Sequence, residues 1–276
     1  MNDAQTMLRS TTLVVHAGGR GTRLRPYTLT IPKPLLKVGL QRKPLICYVI
    51  MPFVFHGIRR CIVTIRERSS KALRKLIRYV NEGDIVSDTN DLLNSFGCDR
   101  DFEAEILDEG EKSLGRGGVI KKGFEDGVLD LRKPIISMNG CDVARVNVMD
   151  LAEKHFENVK NGFYVTNVLA SGFYAPGGIA EVDDRRVTKF IEKPPVYAWF
   201  NTGIFYMDSA SFRYIMEISK FPQNLEDKII PRLVELGKVA AYRIDIDDFK
   251  PVKEEKQYIA LRDSDVLAYL KPCLVT

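Results

Sequence analysis

The sequence predicts an α/β fold, a mixed and mostly parallel sheet with helices on both faces, arranged as a three-layer sandwich. Three observations point there. Short β-branched apolar runs alternate along the 276 residues with segments whose apolar positions recur at helical spacing. The first run, TTLVVHA at Thr11–Ala17, stops at Gly18-Gly19, as a buried strand feeding a loop does. Composition is that of an ordinary globular chain, 45% hydrophobic and 28% charged, and its length can bury a sizeable core.

Taken in order, Thr11–Ala17 is the first strand and Leu45–Phe55 the first helix, with Pro52 near its end or at a kink. Cys61–Ile65 (CIVTI) reads as the next strand. Over Ser69–Val80, Leu73, Leu76, Ile77 and Val80 make one helical face, and Arg74, Lys75 and Arg78 point elsewhere as a solvated face. Further strands are expected at Pro134–Met138, Phe163–Leu169, Val187–Ile191, Gly203–Met207 and Val239–Ile246. Helices are expected at Val148–Asn158, Asp208–Ser219, Leu225–Gly237 and Lys253–Tyr269. No repeat, linker or hexapeptide β-helix pattern appears, so residues 1–276 are expected to form one domain without a β-helix domain.

Several classes fall away on composition. The longest apolar run, Leu45–Phe55, is too short for a bilayer, and the N-terminal residues lack a signal-peptide core, so no membrane is expected. Five cysteines without a C-x-x-C spacing indicate neither a disulfide framework nor a zinc site, and a reducing cytoplasm is the expected home. Between Ala4 and Arg66 there are eleven Lys and Arg and no Asp or Glu, inside a chain of net charge +5. Such asymmetry suits a polyanion, either nucleic acid or a nucleoside triphosphate.

The segment after the first strand separates those two. Gly18, Gly19 and Gly21 fall within four positions, followed by Thr22, Arg23 and Arg25, then Lys33 between two prolines. Glycine lets backbone N–H groups converge on a phosphate, and arginine adds a fixed fork of donors. The spacing matches neither G-x-G-x-x-G nor the Walker lysine pattern.

The whole string, G-G-x-G-T-R-L-x-P-x-T followed by P-K-P-L-L, resembles the signature of the sugar-1-phosphate nucleotidyltransferases. The resemblance covers most of the chain. Leu114-Gly115-Arg116-Gly117-Gly118-Val119 resembles that family's second glycine-rich stretch, Asn139-Gly-Cys-Asp142 its metal-binding aspartate, Phe190-Ile-Glu192-Lys193-Pro its F-x-E-K-P element and Asn201-Thr202-Gly203 its N-T-G element. Gly178 stands where the family borders the sugar. There are departures too. His16 replaces an aliphatic residue, Arg116 a common Thr, and the W-x-D-I-G-T metal motif survives only as Tyr242–Asp248, leaving Asp245 or Asp247 as the second carboxylate.

What the resemblance implies is a Rossmann-like catalytic domain that moves a nucleoside monophosphate from a nucleoside triphosphate to a sugar-1-phosphate, releasing pyrophosphate. Glucose- or mannose-1-phosphate would lead, and nucleic acid would not be a partner; assembly into a homo-oligomer stays open. Ala17, Gly18, Gly19, Gly21, Thr22, Gly115, Gly117 and Gly118 would hold the nucleotide. Arg23 and Lys33 would meet the departing pyrophosphate. Gly178, Glu192, Lys193, Asn201 and Thr202 would hold the sugar phosphate, and Asp142 with Asp247 or Asp245 would hold Mg²⁺. A phosphate monoester is already an anion at neutral pH, its second pKa being about 6, so positioning and charge rather than a general base would carry the reaction. His16 could stack on the base and bond its edge, or simply fill the strand end; His56 and His155 read as structural. Two rivals remain. A non-catalytic relative that binds sugar nucleotides would be expected to lose its charged site residues, yet Arg23, Lys33, Asp142 and Lys193 are present. A cytidylyltransferase acting on a non-sugar phosphate is disfavoured by E-K-P and N-T-G.

Overall fold

The computed structural model describes residues 3–66 and 71–274. Seven strands make the central sheet: β1 (Thr12–His16), β2 (Arg60–Ile65), β3 (Glu103–Asp108), β4 (Ile135–Asn139), β5 (Val165–Ala170), β6 (Phe200–Met207) and β7 (Val239–Ile244). Their order is β7-β5-β6-β4-β1-β2-β3. Every pairing is parallel except those of β6, which runs antiparallel to both β4 and β5. The sheet is therefore mixed and mostly parallel, as the alternating elements predict.

Ten helices accompany it among the described residues: α1 (Asp3–Ser10), α2 (Leu45–Phe55), α3 (Lys71–Asn81), α4 (Asp84–Asn94), α5 (Gly115–Glu125), α6 (Val148–Lys160), α7 (Phe212–Met216), α8 (Ile230–Glu235), α9 (Glu255–Arg262) and α10 (Val266–Leu270). Two apolar clusters divide them into two outer layers. On one face Leu13 and Val15 of β1 meet α2, α4, α6 and α10; on the other Val14 meets α5, α7 and α8. Both faces of β1 are apolar because both are covered, which is why its sequence is a continuous rather than an alternating apolar run.

The boundaries carry local chemistry. Helix α2 spans the expected Leu45–Phe55 and tolerates Pro52 in its last turn. The expected 253–269 helix is instead two, because Asp265 caps a new start at α10 through Ala268 N–H (3.0 Å). The expected 208–219 and 225–237 helices open as a 3₁₀ turn (Ser209–Ser211) and a π turn (Leu225–Ile229) before α7 and α8. Ser69 and Ser70, the first positions of the 69–80 helix, lie outside the described residues.

The Val187–Ile191 strand is real but not in the central sheet. Arg186–Ile191 pairs only with Ile179–Asp183 in an exposed antiparallel ribbon. A second ribbon, Asp142–Ala144 against Phe249–Pro251, sets Pro251 directly opposite Asp142 and Phe249 opposite Ala144. No helix among the described residues is long and apolar enough to cross a membrane.

Candidate active site

The parallel strands β1, β2 and β4 end together, with His16 level with Thr64 on one side and Asn139 on the other. A cleft of about 420 Å³ opens at these carboxyl ends, where open α/β sheets hold their ligands. Ala17, Gly18, Gly19, Gly21, Thr22, Arg23 and Lys33 all line it, so the first motif is gathered there as the sequence suggests.

Local packing dictates the loop's path. Ala17 N–H donates to Thr64 O at 2.9 Å, continuing the β1–β2 ladder by one residue. Gly18 then crosses the end of β2 so closely that a Cβ would sit 2.7 Å from Arg66 N. Gly21 has φ +61°, a conformation costly for other residues, and starts the 3₁₀ turn Thr22–Leu24. Thr28 Oγ1 donates to Gly21 O at 2.8 Å, and fully buried Leu24 anchors the turn in the core. Lys33 opens another 3₁₀ turn between Pro32 and buried Pro34.

The second glycine stretch behaves differently. It forms the first turn of α5, not a loop. Gly115 (φ +74°) lies against the Gln223 backbone, and the N–H groups of Gly117 and Gly118 donate to Gln223 O at 2.9 and 3.2 Å. Gly115 and Arg116 line the cleft, whereas buried Gly117 and Gly118 do not: their amides are already spent on Gln223.

Charge in the cleft is one-sided. Among the described residues, Arg20, Arg23, Lys33, Arg66, Arg116 and Lys253 line it, against the single carboxylate of Glu109. Burial holds the Glu109 carboxyl above its ordinary range, although it accepts Leu114 N–H at 2.9 Å. Arg116 is steered by Glu226 Oε1 at 2.6 Å. Sequence reasoning passed over Arg66, Glu109 and Lys253, which belong to no motif: Arg66 and Glu109 follow sheet strands, and Lys253 arrives through the 142–144 and 249–251 ribbon.

His16 is taken by the strands themselves. Its Nδ1 is 3.0 Å from Thr64 Oγ1 and its Nε2 2.9 Å from Ser137 Oγ. Burial, with Arg116 adding to it, lowers its pKa to about 3, so the ring is neutral. Neither nitrogen is left for a base edge, which removes the hydrogen-bonding half of the base-reading expectation.

The metal-binding expectation meets the clearest disagreement. Asp142 is 3% exposed and does not line the cleft; its neighbour Cys141 does. Asp142 Oδ2 accepts from Lys253 Nζ at 2.5 Å and from Asn139 Nδ2 at 2.9 Å, while Oδ1 is sealed from solvent without a partner. Asp245 and Asp247 are exposed beyond the far, Ala144 end of the ribbon. There Asp245 caps a turn through Asp247 N–H, and Asp247 accepts from the Tyr174 hydroxyl at 3.0 Å. Among the described residues no group of three or more His, Cys, Asp or Glu is placed to hold a metal. Mg²⁺ demands near-octahedral oxygen ligands and keeps several waters. A dry carboxylate already paired with an ammonium, beside a thiol, does not fit it.

The sugar-side residues lie outside the cleft. Glu192 and Lys193 pair with one another at 3.1 Å in the exposed bend that follows the Arg186–Ile191 strand, Lys193 at φ +47°. Gly178 lies under the Phe190 ring. Thr202 is buried, its hydroxyl donating to Val168 O at 2.7 Å, and Asn201 Oδ1 accepts Gly203 N–H at 2.9 Å. Gly203 (φ +81°) joins this turn to the cleft, since a Cβ there would stand 2.9 Å from Asn139 Nδ2 and 3.4 Å from Arg116 Nη1.

Comparison with known proteins agrees with this architecture. HddC from Yersinia pseudotuberculosis superposes with a TM-score of 0.62 at 18% identity, over 91% of this chain and 97% of that one. A putative glucose-1-phosphate thymidylyltransferase from Bacillus anthracis gives 0.61 at 17% identity, over 96% of both chains. In sequence, the mannose-1-phosphate guanylyltransferase catalytic subunit beta of Danio rerio is 24% identical over 84% of this chain and 58% of its own length. The mannose-1-phosphate guanyltransferase of Saccharomyces cerevisiae is 25% identical over 86% and 59%. The chain thus spans under three-fifths of the length of these curated relatives. A model of the nucleotidyl transferase family matches residues 13–249, and the chain belongs to that family.

Proposed function

We propose that the chain transfers a nucleoside monophosphate from a nucleoside triphosphate to a sugar-1-phosphate, forming a nucleotide sugar and pyrophosphate. The observation that carries this is the cleft itself, where six cationic side chains and the glycine loop converge at the strand ends and the N-T-G turn abuts the rim at Gly203. The relatives named for mannose-1-phosphate favour that acceptor, with glucose-1-phosphate next.

In this reading the N–H groups of Gly18, Gly19 and Gly21 receive the triphosphate, and Arg23 with Lys33 stabilises charge growing on the departing pyrophosphate. The attacking oxygen is a phosphate anion, so no proton need be removed. The sugar phosphate enters over Gly203, between Arg116 and the E-K-P ribbon, where Lys193 draws the anion and Glu192 accepts sugar hydroxyls. Members of the family generally use a divalent metal ion. Because Asp142 does not offer Mg²⁺ a fitting site, no step is assigned to one here.

The same disagreement favours a second reading, a sugar-nucleotide binder with little turnover. A panel of five nucleoside triphosphates against glucose-, mannose- and N-acetylglucosamine-1-phosphate separates the two. Pyrophosphate release that needs both substrates supports transfer. Tight nucleotide-sugar binding without release supports the binder, and hydrolysis of triphosphate without an acceptor overturns both.

A further inference from the structure

The corner of the cleft next to Asp142 is built around a fixed ammonium. Pro251 is held in the ribbon opposite Asp142, Val252 is buried, and Lys253 N–H donates to Gln257 Oε1 at 2.7 Å, inside the box that caps α9. The backbone under Lys253 is thereby pinned, and its Nζ lies 2.5 Å from Asp142 Oδ2 while its side chain lines the cleft. The ribbon position directly facing Asp142, from which a second carboxylate could share a cation with it, is a proline.

We infer that this chain holds its nucleotide phosphates without a protein-bound divalent cation, Lys253 supplying the positive charge at that corner from the protein itself. The inference rests on the reading of the cleft as a nucleotide site. A dication placed on Asp142 Oδ1 would stand close to the Lys253 ammonium held on the other oxygen of the same carboxylate, and like charges at such distances repel. Cys141, the neighbour of Asp142 that lines the cleft, offers a thiol, a poor ligand for a hard cation. The cleft does not lack positive charge either: Arg20, Arg23, Lys33, Arg66 and Arg116 surround the same space. Asp142 has a clear part in this arrangement. Buried and acceptor-only, it holds the ammonium at the wall and leaves its remaining N–H groups to face a phosphate.

Binding, not turnover, tests this. GDP-mannose, dTDP-glucose and UDP-glucose are titrated by calorimetry into the full chain in EDTA and in excess Mg²⁺, and Mn²⁺ alone is titrated by electron paramagnetic resonance. The tightest nucleotide sugar should change affinity by less than about threefold on chelation, and the unaltered chain should bind no stoichiometric Mn²⁺. Lys253→Met combined with Asp142→Asn, which avoids an unpaired buried charge, should weaken metal-free binding about tenfold or more, while Lys253→Arg stays within about threefold. Pro251→Asp with Lys253→Gly should create Mn²⁺ binding. A loss of more than about tenfold in EDTA, with Mn²⁺ binding abolished by Asp142→Asn, overturns the inference and leaves the nucleotide reading standing. Failure of all three nucleotide sugars to bind in either condition overturns the nucleotide reading as well.

Discussion

Replacing His16 with Leu asks whether this ring belongs to the sheet or to a bound base. Its two nitrogens lie 3.0 and 2.9 Å from the hydroxyls of Thr64 and Ser137, which are 1% and 0% exposed. Leucine is close in size, so the loss is chiefly two hydrogen bonds, and it leaves two buried hydroxyls unpaired at about 1–3 kcal/mol each. Better burial of an aliphatic chain returns about 1–2 kcal/mol, for a net loss of about 0–5 kcal/mol, centred at about 2–3 kcal/mol. At about 2–4 °C per kcal/mol, Tm should fall visibly. Urea denaturation of the ligand-free chain at pH 7.5 measures it. The triple variant His16→Leu/Thr64→Val/Ser137→Ala should recover half or more of the loss, because no polar group is then stranded. The order of preference among nucleoside triphosphates should not change. A His16→Leu chain of unaltered stability, or one with a reordered preference, would refute the reasoning.

Gly115→Ala forces a Cβ at φ +74° to within 2.7 Å of the Gln223 backbone, so it should cost more than the about 1–2 kcal/mol of the left-handed conformation alone. Gly19→Ala meets nothing within 4 Å and should be as stable as the parent, with thermal unfolding of the pair as the comparison. His155 is fully buried against Tyr206, and burial lowers its pKa to about 3. The unfolded chain takes up that proton near pH 6.5 and the folded chain does not, so stability should fall as pH drops from 6.5 toward 3. The slope is at most about 1.4 kcal/mol per pH unit for this residue, with a further share from His16. Urea midpoints at pH 7 and 5 should show it, and His155→Phe should flatten the slope; an undiminished slope in that variant would contradict the assignment. Arg23→Ala should lower kcat more than it raises the nucleotide KM, since charge on the leaving group grows in the transition state. Steady-state kinetics showing a change in nucleotide KM alone would remove Arg23 from that role.

The residues that could be read in advance are those whose chemistry is local. A β-branched run ending at Gly18-Gly19 defines both β1 and the loop, and the residues read in that loop, Arg25 excepted, line the cleft. Helix α2 is apolar all round, and its bounds follow from its run of buried side chains. Strand β3 escaped notice because an edge strand tolerates charge, and Glu103 and Glu105 break its apolar pattern. The Ile179–Ile191 ribbon presents Val182, Val187 and Phe190 to solvent, so its apolar residues imitate a core strand. Gly117 and Gly118, expected against the nucleotide, stand off the cleft because the Gln223 carbonyl, distant in sequence, takes their amides. Lys253 could not have been foreseen at all. Its pairing with Asp142, 111 residues away, depends on the register of the 142–144 and 249–251 ribbon, which no local pattern announces.

Isotope exchange between pyrophosphate and triphosphate tests the central claim most directly. Incubation with ³²P-pyrophosphate and a series of nucleotide sugars should yield labelled nucleoside triphosphate from one of them. The label should enter only the β- and γ-phosphates, and the sugar-1-phosphate should appear in equal amount. Tight nucleotide-sugar binding with no labelled triphosphate from any member of the series would contradict nucleotidyl transfer in this cleft.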